Sequence, residues 1–246
     1  MKIFFWSFVV TIGTWVPETI RLGLCRILLS SLAKGKDSSL TLQRLFLLDD
    51  ILQWHIDQVA IRNEGGIHPK HRLMSYHDFF VQRIEPGENV LDIGCGYGAV
   101  SASMANAGIN VTGIDMSEQN IQKAKKIYTG ENLRFLVGDV NEYAPDQYYD
   151  VLVMSNILEH IEPRVALLRH LVETIEPKSI LIRVPMRDRH WTVPMRDELG
   201  IVSFCDPTHH VEYTLLEFFV EMEQAGLVVQ EYQVNWGEIW AKIISP

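Results

Sequence analysis

Three aspartates stand at or just beyond short apolar runs: Asp92 after Val90 and Leu91, Asp115 after Ile114, and Asp139 beyond Leu136 and Val137. Four of the five histidines in the second half of the chain, His160, His190, His209 and His210, are candidates to work beside them. A carboxylate is an acceptor-only group with two oxygens, suited to the hydroxyl, amine and ammonium groups of a ligand. Histidine titrates near neutral pH and is the natural side chain to take a proton from a hydroxyl. The two sets together describe a site that holds a polar, partly cationic cofactor and deprotonates a second substrate. His160 is the first candidate base, because it follows an apolar run at what would be the carboxyl edge of an open α/β sheet, where ligands bind. His209 comes next, then His190. Asp206, His209, His210 and Glu212 have the composition of a metal site, but their clustering is too local to indicate coordination, and no metal is expected.

The elements that must position these groups are legible in order. Asn89-Val-Leu-Asp-Ile-Gly-Cys-Gly-Tyr-Gly98 reads as a buried parallel strand broken by Gly94, Gly96 and Gly98, with a helix over 99–107. Strand, glycine turn and helix open a nucleotide-binding βαβ unit, and the glycines let a ligand approach the backbone. Gly94-x-Gly96-x-x-Ala99 also fits a relaxed dinucleotide fingerprint. Asp92 argues against that, since its charge would repel a pyrophosphate and attract an ammonium. An acid there, with glycine at every second position through Gly98, suits S-adenosyl-L-methionine, which has a cationic amino group and no phosphate. The next strand, 110–114, delivers Asp115, 23 residues beyond Asp92, to accept hydrogen bonds from both ribose hydroxyls. Ser117 caps a helix to Tyr128, without a full capping box because Asn120 holds the third position. Strands over 133–137, 149–154 and 180–184 and a helix over 163–175 continue the alternation. Strands 227–234 and 238–244 meet at Asn235-Trp236-Gly237, a hairpin signal.

On these residues the chain resembles the class I S-adenosylmethionine-dependent methyltransferases, whose first motif is similar to Val90–Gly98 without departure. The resemblance covers about residues 70 to 246. It implies an α/β fold, a Rossmann-like seven-stranded methyltransferase sheet with an N-terminal helical extension: residues 1–75 a helical cap on the substrate side, 76–246 the methyltransferase domain. It implies cofactor contacts from Asp92, Gly94, Cys95, Gly96, Gly98, Asp115 and Met116. Asp139, facing the adenine amine, Val140 beside it, and the strand-end Ser155 complete the set. The Ser155-Asn-Ile-Leu-Glu-His160 stretch is similar to the family's fourth-strand motif, where the wall of the active site begins. Thr214 before a helix ending Ala225-Gly226-Leu227, and the antiparallel last strand pair, resemble the family's closing elements.

Composition bounds the rest. A chain of 246 residues with 47% hydrophobic and 22% charged residues is globular, with ample material for a core. Its net charge of −9 makes a nucleic-acid backbone an unsuitable partner. Cys25, Cys95 and Cys205 form neither an even set nor a Cys-x-x-Cys pair, which suits a reducing, cytoplasmic compartment. Residues 3–16 are strongly apolar, but too short and too interrupted to span a bilayer and without an export cleavage site. They read as a helix packed on a partner or on the chain itself. Beside Arg21, Arg26 and Lys34, peripheral contact with a membrane interface is the second reading.

Two polar segments bear on the acceptor. His68, Lys70, His71 and Arg72 precede a helix over 76–84, and His71 and Arg72 are placed to close over an anionic substrate or the cofactor carboxylate. Residues 185–206 read as a long irregular connection, of the kind that forms lids. It carries Arg187, Arg189 and Arg196, rooted at Arg183, with Trp191 as a stacking surface; the planar fork of Arg suits phosphate or carboxylate. Asp188, Asp197 and Glu198 are interleaved, so paired surface charge is the competing reading. The pattern Arg183-Val-Pro, Arg187–Trp191, Asp206–His209 and Trp236–Trp240 resembles small-molecule methyltransferases found alongside surface-polysaccharide genes. That resemblance implies a sugar hydroxyl on a nucleotide-linked or lipid-linked glycan as acceptor. A quinone or phenol acceptor, a nicotinamide oxidoreductase and a non-catalytic cofactor-binding protein are the rivals.

Overall fold

The computed structural model describes residues 16–145 and 147–246. The apolar run at 3–16 lies outside these residues except for Val16.

Strand β1 (Asn89–Ile93) pairs in parallel with β2 (Asn110–Asp115) on one side and β4 (Val151–Ser155) on the other. Beyond them lie β3 (Leu133–Val137) and β5 (Ser179–Pro185), also parallel. The hairpin β6 (Val228–Asn235) and β7 (Glu238–Ile244) adds two antiparallel strands, giving the order β3-β2-β1-β4-β5-β7-β6. Its turn runs through Trp236 and Gly237, both at positive φ, as the sequence signal requires. The central strands β1, β4 and β5 are buried almost without alternation because both faces are covered, whereas the edge strand β6 is largely exposed. Leu91, Ile93, Leu152, Met154, Ile180 and Ile182 enter one core with helices α7 (Arg164–Ile175) and α9 (Leu215–Gln224). Val90, Val111, Val151, Val153 and Leu181 enter the other, with α4 (Tyr76–Val81) and α5 (Ala99–Asn106). Side chains alternate across a strand, so one run of sequence fills two layers.

Strand β5 is buried along its whole length and yet carries Arg183. Its guanidinium donates to both carboxylate oxygens of Glu238 on β7, at 2.6 and 2.9 Å, and to Ser155 Oγ on β4 at 3.1 Å. The face of the guanidinium lies 3.6 Å from the centre of the Tyr76 ring. A buried cation is tolerable only when paired and hydrogen-bonded, and here every side is engaged. Glu238→Ala is therefore expected to lower stability by about 3–5 kcal/mol, through the uncompensated charge it leaves behind. Equilibrium denaturation measures this, and a loss within the scatter of surface substitutions would show that Arg183 is solvated instead.

Segment 185–206 is more ordered than its composition suggests. A 3₁₀ turn covers Arg187–Arg189, and helix α8 follows at Thr192–Glu198. Pro194 falls within the first turn of that helix, where a missing N–H is tolerated. The other helices of the sheet unit are α3 (Lys70–Leu73) and α6 (Glu118–Ile127), the latter capped by Ser117 Oγ accepting from Asn120 N.

Among the described residues, those up to Gly66 group with Arg196–Ile201 as one compact unit, and those of 67–195 and 202–246 as the other. The described part of the first is two helices, α1 (Glu18–Leu32) and α2 (Ser38–Asn63), the second capped by Asp37. Among described helical residues only Thr41 and Phe46 of this pair are buried.

Candidate active site

The turn after β1 is built for a ligand. Gly98 takes φ 79° at the start of α5, and a Cβ there would come within 2.5 Å of the Phe135 ring. Gly96, at φ 55°, has nothing within 4 Å of the same position, so its backbone borders open space. Asp115 at the end of β2 holds this turn: its carboxylate accepts from Gly96 N at 2.9 Å, Ser117 N at 2.8 Å and Asn120 Nδ2 at 3.2 Å. Asp92 is fully buried and accepts a hydrogen bond from Ser101 on α5. Burial pushes its carboxyl up to about 7, partly offset by the Ser101 hydrogen bond, and the Asp115 charge adds to the rise.

Two cavities meet at Gly94. One, about 280 Å³, is lined by Asp115, Met116, Asp139, Val140, Ile157 and His160 among others. The other, about 210 Å³, is bordered by Asp92, Cys95 and Ser155 on one side and by Lys70, His71 and Arg183 on another. The proposed cofactor residues thus fall along one cleft, with Gly96 and Gly98 shaping the turn between its halves. His71 belongs to a packed cluster: Tyr76 Oη lies 2.5 Å from its Nδ1, and His77 Nε2 lies 3.0 Å from it. Burial pushes both imidazoles down to about 4, so they are neutral at physiological pH.

The histidines divide sharply. His160, in a 3₁₀ turn after β4, forms part of the first cavity wall, and its Nδ1 lies 2.9 Å from Thr208 Oγ1. Thr208 donates its one hydroxyl proton to Asp206 Oδ1 at 2.6 Å, so it must accept from His160 Nδ1–H. That fixes the tautomer and leaves the Nε2 lone pair to act as a base. Burial, chiefly, holds the His160 pKa below its ordinary value. His209 packs edge-on against His160 with ring centres 4.7 Å apart, and its Nδ1 faces Glu212 Oε1 at 3.1 Å. A carboxylate only accepts, so His209 donates its Nδ1–H to Glu212, while its Nε2 lies 4.0 Å from Glu159 Oε1. His210 is exposed, and its N–H donates to the Glu159 carbonyl at 2.8 Å, tying the two loops together. His190 is exposed too, bonded to Thr192 Oγ1 at 2.8 Å, and lines neither cavity.

The arginines do not converge on an open anion site. Arg189 is paired with buried Glu212 and donates to the carbonyls of Met186 and Ser203, so it pins its own loop. Arg196 bonds Asp50 at 2.7 Å and Asp49 at 3.5 Å and stacks over Phe46. The interleaved-acid reading was the better one in kind, but the partners come from distant sequence. Trp191 is largely exposed, Arg187 N donates to Tyr213 O, and Arg72 and Arg187 stand outside both cavity linings.

Sequence reasoning missed Glu159. Its side chain is 0% exposed, and among described residues it and Asn156 Oδ1 hold the buried side-chain oxygens without a hydrogen-bond partner. Burial pushes its carboxyl up to about 7, an effect that its own backbone hydrogen bond and the nearby His209 partly offset. Its position next to His160 was visible, but nothing in the residue string marked it as buried.

A family model described as "Methyltransferase domain" matches residues 67–232. The chain belongs to this family. Among curated relatives, a methyltransferase titled ubiquinone biosynthesis O-methyltransferase from Rickettsia bellii is 35% identical over 95 residues, 38% of this chain and 40% of the relative. One of the same title from Yersinia enterocolitica is 34% identical over 121 residues, 46% of this chain and 50% of the relative. The chain thus spans half or less of the length of these relatives. Solved structures share the fold at lower identity. Magnesium protoporphyrin IX methyltransferase from Synechocystis, with bound SAH, superposes at TM-score 0.57 and 18% identity, over 70% of this chain and 83% of that one. A methyltransferase in complex with the Haloferax volcanii activator Trm112 does so at 0.60 and 17%, over 75% and 94%. The methyltransferase domain therefore has the seven-stranded fold expected from its sequence, with the cleft at the carboxyl edge of its parallel strands.

Proposed function

We propose that this methyltransferase uses S-adenosyl-L-methionine to methylate a hydroxyl on a small aromatic ring, of quinol or catechol type. The observation that carries it is the Asp206–Thr208–His160 chain, which presents a lone-pair nitrogen on the wall of the cofactor cleft. Methyl transfer is an in-line displacement at a carbon already activated by a sulfonium, so the protein positions the acceptor and removes its proton. Asp92 attracts the cofactor ammonium, Asp115 accepts from the ribose hydroxyls, Asp139 faces the adenine amine, and His160 takes the acceptor proton. A phenolic hydroxyl is acidic enough for a histidine to assist as the methyl moves. The titles of the matched relatives support a quinol-type acceptor. The glycan hydroxyl implied by the sequence resemblance loses support, because Arg189 and Arg196, which were to hold its phosphates, are engaged by carboxylates. An acceptor screen tests the choice: catechols and hydroxylated quinols should be methylated and nucleotide sugars ignored. Turnover restricted to nucleotide sugars would overturn it.

A second reading of the same cluster is favoured by the unpartnered Glu159 carboxylate. Glu159, His160 and His209 can each offer one ligand atom, all within 4.8 Å of one another. One carboxylate and two imidazoles suit zinc or another divalent first-row ion, which would orient the acceptor oxygen and lower its pKa. Titration with Co²⁺ reads this without turnover. Wild type should give a bound-metal absorption spectrum that Glu159→Gln and His209→Ala each abolish; no spectrum in wild type leaves the histidine-base reading alone.

A further inference from the structure

Helix α1 carries an exposed apolar stripe that the methyltransferase cleft does not explain. Ile20, Leu24, Ile27 and Leu28 recur at i, i+4, i+7 and i+8, and each is between 52% and 68% exposed. That spacing defines a face about 100° wide, the signature of an amphipathic helix that covers an apolar phase. Leu22 and Leu29, off the stripe, are exposed as well. No described helix is long and apolar enough to cross a membrane, so α1 would lie in the interface and not span it.

Charge selects the kind of surface. Residues 1–36 carry five basic side chains (Lys2, Arg21, Arg26, Lys34 and Lys36) against one acid, Glu18, in a chain whose net charge is −9. Five of the 22 basic residues of an acidic protein thus lie on and beside an exposed apolar helix, with one acid among them. Basic residues at a bilayer surface each add to the attraction toward anionic lipid. The sequence just before α1 is rich in Phe and Trp (Phe4, Phe5, Trp6, Phe8, Trp15), the aromatic residues enriched at membrane interfaces.

We propose that α1 docks this enzyme on an anionic lipid bilayer, with the Ile20–Leu28 stripe in the acyl boundary and Arg21, Arg26, Lys34 and Lys36 at the headgroups. This does not rest on the identity of the acceptor.

The test is flotation of the 246-residue chain with vesicles of 30% phosphatidylglycerol in phosphatidylcholine, against pure phosphatidylcholine. Binding is expected to the anionic vesicles and to fall more than tenfold on the neutral ones. Arg21→Gln with Arg26→Gln should lower partitioning by roughly thirty-fold. Ile27→Asp with Leu28→Asp should abolish it, while calorimetric affinity for S-adenosyl-L-methionine stays that of wild type and confirms the fold. Equal binding to both vesicles, or binding unaffected by the two aspartates, would overturn the proposal. So would a stable dimer that fails to float and becomes monomeric in the Ile27→Asp, Leu28→Asp variant, because α1 would then face a second copy.

Discussion

Asp115→Ala is expected to weaken S-adenosyl-L-methionine binding by about 3 kcal/mol, roughly 150-fold, while leaving a folded protein. The Asp115 carboxylate accepts three hydrogen bonds from the protein itself, from Gly96, Ser117 and Asn120. Two oxygens have room for about four, so a ribose hydroxyl would join or replace these donors. The variant loses both the acceptor and the tether on the glycine turn, so the cleft becomes less preorganised as well as less polar. Folding should survive because Asp115 is only partly buried. Calorimetry gives the affinity and far-UV circular dichroism the fold. Unchanged affinity would remove Asp115 from the cofactor site.

His160→Ala is expected to lower kcat by about 10²–10³ while the cofactor dissociation constant stays within a few-fold of wild type. The pH dependence separates His160 from its neighbour. Burial keeps the His160 pKa below its ordinary 6.5, so the imidazole is neutral and competent at neutral pH. The acid limb of the rate profile should therefore lie below pH 6.5 and vanish in His160→Ala. A limb near 7 that survives the substitution would implicate the Glu159 carboxyl instead. Thr208→Val should leave substrate KM nearly unchanged and lower kcat, because it frees the tautomer without removing the base. Equal rates in wild type and Thr208→Val would mean that the Asp206–Thr208 pair has no part in orienting His160.

The carboxyl edge of the sheet was legible because its chemistry is local. Asp92, the glycine turn and Asp115 lie within one βαβ unit, and their spacing is dictated by the length of a strand, a helix and a strand. The hairpin at Trp236-Gly237 was legible for the same reason: it requires positive φ over two residues. What the residue string hid depends on distant pairing. Arg183 seemed the root of a cationic loop, yet β7 returns antiparallel beside β5 and places Glu238 against it. Arg196 seemed part of the same field, and its partners Asp49 and Asp50 lie some 146 positions earlier. Glu159 and His209 are brought together by the backbone bond from His210 to the Glu159 carbonyl, which no local pattern encodes.

Cofactor affinity as a function of pH, in wild type and Asp92→Asn, bears most directly on the claim that a buried carboxylate beside bare backbone draws in a cationic headgroup. The Asp92 carboxyl has been raised to about 7, so it is largely ionised above that pH and protonated below it. An ammonium ligand favours the ionised form, and binding must release the proton. Calorimetry should show S-adenosyl-L-methionine affinity falling about tenfold from about pH 7.5 to about pH 6, with the extra slope absent in Asp92→Asn. The variant carries the ligand's own titration, so the difference between the two curves belongs to Asp92. Superimposable curves, or tighter binding by Asp92→Asn, would contradict the assignment.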